Sequence, residues 1–97
     1  MDFPTKLVIS NQIHPSYTVI DLQTADRLGL LYDVLFGLSR AGVNIALSRI
    51  ATEKGAAFDS FYVTDLDGRK ITEERKLETL QRSLLAAATG GEYEKRW

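Results

Sequence analysis

Asp26, Arg27, Gly29 and Asn44 have the types and spacing to hold a small charged molecule. The first three stand where a strand hands over to a helix, and the free N–H groups of a helix N-terminus seat a carboxylate. Gly29 permits the close backbone approach that a larger residue would block. Asn44 is expected to begin the strand after that helix, and its amide offers both a donor and an acceptor to an ammonium and a carboxylate. Each residue also has a plainer use. Asp26 can serve only as the helix N-cap, Gly29 only in helix-to-sheet packing, Asn44 only as a turn residue after Gly42, and Arg27 as a solvated charge.

Other chemistry fails on inspection. The chain has no cysteine, so it has neither a thiolate nucleophile nor a zinc-thiolate site. Its single histidine, His14, lies next to Pro15 and cannot form a His-Asp metal constellation. Asp65-Leu66-Asp67-Gly68 hints at a calcium loop, but the later ligand places fall on Arg69 and Lys76, so it reads as a turn. Gly90-Gly91-Glu92 lacks the lysine and spacing of a phosphate-binding loop. No catalytic residue, metal site or cofactor is expected.

Length and composition narrow the class. Ninety-seven residues with 44% apolar and 26% charged side chains make one folded domain with a modest core, to which a pairing surface would add useful stability. A net charge of −1 gives no drive toward nucleic acid or an anionic membrane. No apolar run approaches the roughly 20 residues of a membrane span, and the first residues lack a signal peptide's pattern, so a cytoplasmic protein is expected.

The elements that must position these residues follow from periodicity. Lys6 to Ser10 and Tyr17 to Gln23 read as two strands of a hairpin, with Thr18, Ile20 and Leu22 toward the core. A helix is expected from about Arg27 to Ala41, capped by Asp26, ended by Gly42, and buried along Leu28, Leu31, Val34, Leu35, Leu38 and Ala41. Val43 to Thr52 and Ala57 to Asp65 form a second hairpin through Lys54-Gly55. A second helix, capped by Thr72, is marked by Leu77, Leu80, Leu84 and Ala87 or Ala88, and Gly90-Gly91 ends it. The core is expected over about residues 6–89, with residues 90–97 as a tail.

The order β, β, α, β, β, α contains a ferredoxin-like unit without its final strand. The first strand is expected to fill the vacant edge beside the second. This gives an α+β sandwich, a four-stranded antiparallel sheet with both helices on one face. Tyr17 and Val19, with either Phe58 and Tyr62 or Phe61 and Val63, then fall on the open face, which reads either as ordinary apolar scatter or as a docking surface.

The segment ADRLGLLYDV, Ala25 to Val34, resembles the strand-to-helix segment of ACT domains, small regulatory modules that bind amino acids. Thr18 to Thr52 together with FYVTDLDGRKI, Phe61 to Ile71, is similar to the C-terminal ACT domain of the bifunctional uridylyltransferase/uridylyl-removing enzymes, which modify the PII nitrogen-signalling protein. The resemblance covers nearly the whole chain, including the added first strand. It implies an amino-acid effector, glutamine, held near Asp26, Arg27, Leu28, Gly29 and Leu30 and by Asn44 and Ile45. It also implies a junction with another ACT domain, as a homodimer or as a neighbouring copy. Leu28 stands where many members have proline. The alternative is a stand-alone ACT module that pairs with itself and binds a different amino acid or none.

Two rivals share the architecture. An acylphosphatase-like hydrolase would use Arg27 for phosphate and Asn44 for water, but Asp26 opposes the phosphate and the glycine-rich loop is missing. An RNA-binding sheet would stack bases on Phe58, Phe61 and Tyr62, but the flanking basic residues are absent.

Overall fold

The computed structural model describes residues 3–90. Six elements follow in the expected order: β1 (Lys6–Ser10), β2 (Thr18–Ala25), α1 (Leu30–Arg40), β3 (Asn44–Glu53), β4 (Ala56–Thr64) and α2 (Glu74–Ala88). The sheet is antiparallel throughout in the order β1-β2-β4-β3, so β1 takes the edge that a final strand would otherwise occupy. Both helices cover one face, giving the ferredoxin-like α+β sandwich.

Strand alternation decides what lies beneath the helices. Ile20 and Leu22 of β2 and Ala57, Phe61 and Val63 of β4 point inward, to meet Leu30, Val34 and Leu38 of α1 and Leu80, Leu84 and Ala88 of α2. Each large side chain buried in this way contributes about 1.5–3 kcal/mol. Phe61 and Val63 are therefore inside, and Phe58 and Tyr62 fall on the open face. There the rings of His14, Tyr17 and Tyr62 gather at centroid distances of 4.7 to 6.5 Å beside Val19, which is buried although it lies on that face. Phe3 stands edge-on to Phe58 at 6.0 Å.

The β1–β2 loop is pinned from below. Thr18 Oγ1 donates to Asn11 Oδ1 at 2.6 Å and accepts the Ile71 N–H at 2.8 Å, while Asn11 Nδ2 donates to the Ile71 carbonyl at 2.7 Å. A fully buried threonine is thus satisfied, and the segment entering α2 is fixed against β2.

Several boundaries differ from the sequence reading. The strands run to Ala25, Glu53 and Thr64, with β2 beginning at Thr18, β3 at Asn44 and β4 at Ala56. The α1 helix begins at Leu30 rather than Arg27, because Gly29 takes a left-handed φ of 81° and is the N-cap itself; Asp26 caps nothing. Starting there, the helix buries Leu30, Val34 and Leu38, while Leu31 and Leu35 stay partly exposed and Leu28 stands wholly exposed. For α2 the N-cap is Glu73, not Thr72, and no side-chain cap bond forms. Gly42 does end α1 with φ 73°, and Gly90 follows α2 with φ 67°. The tail from Gly91 onward lies outside the described residues.

The Asp65 segment is a turn. Asp65 Oδ1 accepts the N–H groups of Asp67 and Arg69 at 2.9 Å each, and these bonds hold its carboxyl below the ordinary carboxylate range. Among the described residues no group of three or more potential ligands gathers around a metal position, and no helix is long and apolar enough to cross a membrane.

Candidate functional site

The β2–α1 loop is shaped by three contacts that owe nothing to a helix cap. The Asp26 N–H donates to the Gly55 carbonyl at 2.9 Å, which ties the end of β2 to the β3–β4 turn. Arg27 reaches the other way: its Nη2 donates to the Ala87 carbonyl at 2.6 Å and to Asp33 Oδ2 at 2.8 Å, and its Nη1 to the Leu28 carbonyl at 3.2 Å. Arg27 is therefore no solvated charge. Gly29 then reverses the chain into α1, a conformation that a Cβ would strain.

The helix that starts here leaves donors open. The Leu30 N–H bonds the Arg27 carbonyl and the Asp33 N–H bonds the Gly29 carbonyl, but among the described residues the N–H groups of Leu31 and Tyr32 have no acceptor. Two open donors at the positive end of a helix dipole favour a carboxylate.

Between this helix start and the edge strand lies an open groove of about 510 Å³, lined by Asp26 through Tyr32 on one side and by Ile50, Thr52, Ala57 and Asp59 on the other. Sequence reasoning anticipated Asp26, Arg27, Leu28, Gly29 and Leu30, and the structure brings all five to the groove. Asn44 and Ile45 are not there. Asn44 pairs with Thr64 at the opposite end of the sheet, whereas Ala25 pairs with Ala56. The separation is about nine residues of strand, roughly 30 Å at about 3.3 Å each. That distance also undoes the hydrolase geometry, because Arg27 and Asn44 cannot face one phosphate and Arg27 is committed elsewhere. The stacking surface of the RNA reading fails as well, since Phe61 is fully buried and Phe58 and Tyr62 contact Phe3, His14 and Tyr17.

Asp59 was missed. It sits on the helix-facing side of β4 between Ala57 and Phe61, is only 3% exposed, and its Oδ1 has no hydrogen-bond partner. Burial pushes its carboxyl above the ordinary value of 3.8, and the neighbouring Asp26 charge pushes the same way, against a backbone bond from Ala51. The sequence held a signal for it: in AFDSF, an acid occupies a place where the two-residue period calls for a core residue.

The edge strand beside the groove is bare. All ten residues of β3 are exposed, among them Ile45, Leu47 and Ile50, each 40–48% exposed. They line unpaired strand backbone, an edge that monomers usually blunt, and Ile50 shares the groove with Leu31 of α1.

The comparisons agree with this architecture. The family profile described as an ACR9-like, ACT-like domain matches residues 6–89. Similar proteins include the bifunctional uridylyltransferase/uridylyl-removing enzymes of Ruegeria pomeroyi, 43% identical over 88 residues, and of Cereibacter sphaeroides, 39% identical over 89 residues. These alignments take in 91% and 92% of this chain but 10% of each relative, so the chain spans about a tenth of their length. Among solved structures, a protein of unknown function from Galdieria sulphuraria superposes with a TM-score of 0.55 over 68% of this chain and 37% of that one, at 21% identity, a likeness of fold alone. With a family match over nearly its whole length and the ferredoxin-like sheet that such domains share, the chain belongs to the family of ACT-like domains.

Proposed function

We propose that the chain is a non-catalytic regulatory domain of a cytoplasmic uridylyltransferase/uridylyl-removing enzyme, and that it binds an amino acid, glutamine, as the signal of nitrogen supply. The observation that carries this reading is the groove at the start of α1. It offers open Leu31 and Tyr32 N–H groups to a carboxylate, acidic side chains to an ammonium, and Leu31 and Ile50 to the ligand's carbon chain. A zwitterion needs opposite charges met a few ångströms apart, and this groove has both. The uridylyltransferase relatives supply the biological setting.

The bare β3 edge supports pairing with a second ACT domain. A copy laid antiparallel along β3 with strand ends in register carries Asn44 and Ile45 beside the other copy's Glu53, next to the turn that bonds Asp26. The residues that one chain holds apart would then share one site. An effector bound there favours one arrangement of the paired domains, and it can shift the parent enzyme's balance only by its difference in affinity for the two.

Thermal unfolding tests the reading. The chain is heated with glutamine and with the other amino acids, at protein concentrations spanning its self-association. A ligand at 100 times its dissociation constant adds about 2.7 kcal/mol, which raises the Tm by roughly 10 °C or more for a domain this size. A shift with glutamine above all others is the expected result. A self-associated chain that no amino acid stabilises would refute the sensor role.

A further inference from the structure

We propose that Asp59 is the cation-accepting residue of the groove, taking the ammonium group of a bound amino acid while the Leu31 and Tyr32 N–H groups take its carboxylate. The inference deepens the reading above and rests on it for the class of ligand.

Three observations lead there. Asp59 is 97% buried, yet Oδ1 has no donor, and a buried polar atom left unpaired is costly enough to need a reason. It is itself a lining residue of the groove, and the Cβ–Cγ torsion of an aspartate is broad, so either oxygen can be turned to the floor. No positive charge answers it. Arg27, the basic residue of that lining, is bonded to Asp33, Leu28 and Ala87, so Asp26 and Asp59 face the groove without a counterion among the described residues.

The missing group is therefore cationic. A divalent metal asks for more ligands than the two carboxylates here, and no group of three gathers among the described residues. An ammonium brings one charge and three donors, enough to bond Asp59 and still reach Asp26 at the rim. Because Asp59 lies on β4 and Asp26 on the loop, a ligand bonded to both would tie the loop to the sheet.

The test follows the Asp59 carboxyl resonance by carbon-13 NMR at neutral pH, together with thermal unfolding. The additions are L-glutamine, glutaramate, which is the same molecule without its ammonium, and ethylammonium. Glutamine and ethylammonium are expected to move the Asp59 resonance, and glutaramate to leave it in place. Asp59→Asn, nearly identical in shape, is expected to weaken glutamine binding about tenfold or more, the worth of one charge-assisted hydrogen bond. The resonance is read on the unaltered chain, so it holds even if the variant folds poorly.

Glutamine binding with an unmoved Asp59 resonance, or with equal affinity in Asp59→Asn, overturns this inference and leaves the sensor reading intact. If no amino acid binds but ethylammonium still moves the resonance, the sensor reading falls and the cation seat stands. No response to either overturns both.

Discussion

The Arg27 guanidinium donates to the Ala87 carbonyl at 2.6 Å, joining residues 60 apart in sequence, and the same nitrogen bonds Asp33 Oδ2 at 2.8 Å. One side chain thus ties the β2–α1 loop to the first turn of α1 and the last turn of α2. The loop that frames the groove is held by a tertiary latch, not by a local cap.

Breaking that latch should cost stability. Arg27→Ala is expected to lose about 1.5–3 kcal/mol, the range for a hydrogen bond from a charged donor, and calorimetry should show a Tm lower by about 6 °C or more. Asp33→Asn removes only the ion pair, whose side chains are 33% and 41% exposed, so about 0–1 kcal/mol is expected. Equal losses in the two variants would show that the Ala87 bond is not the anchor.

Three glycine substitutions separate backbone strain from packing. At Gly29 an added Cβ meets nothing nearer than Arg27 Nη1 at 3.8 Å, but φ is 81°, so Gly29→Ala is expected to cost about 1–2 kcal/mol and Gly29→Asn less. Gly37 is an ordinary helical residue whose Cβ would meet Ala87 Cβ and the Ser83 carbonyl at 3.7 Å, normal contact distance. Gly37→Ala should therefore stabilise by about 0.5–1 kcal/mol. Urea midpoints that move the same way at both positions would contradict the strain argument.

Two acids should give opposite pH dependence. The folded state raises the Asp59 pKa above 3.8, so the folded chain holds that proton more tightly, and stability falls as pH rises from 3.8 through the raised value. Asp59→Asn should abolish that fall and be at least as stable as the parent at neutral pH. Asp65 is lowered, so its contribution is present above 3.8 and is lost as pH falls through the lowered value. Asp65→Asn should flatten the acid side only. Denaturation curves measured at a series of pH values check both signs.

Charging the edge should keep the chain single. Leu47→Lys with Ile50→Lys places two ammonium groups on an exposed strand, where they cost the isolated fold little but repel a second copy. Sedimentation should report a monomer with an unchanged circular dichroism spectrum. A dimer that persists would move the interface away from β3, to the open face of Phe58 and Tyr62.

The sequence by itself determined the element order, the hairpin turns, the ferredoxin-like class and the loop that opens the groove. Those features are local: a two-residue period against a 3.6-residue one, a Lys54-Gly55 turn, a glycine where α1 must end, and the DRLGLL segment. What it left open depends on contacts between distant residues. Arg27 read as solvated because its partner Ala87 lies 60 residues on, in the last turn of α2. The α1 stripe was shifted because Gly29, by turning left-handed, moved the helix start to Leu30. Asn44 looked like a neighbour of Asp26, but the α1 helix runs the length of the sheet between them and places the two at its opposite ends. Asp59 shows the division most clearly: its core phase was written in AFDSF, but only the packed sheet, by removing water from that carboxylate and leaving its Oδ1 without a donor, made it a candidate for binding.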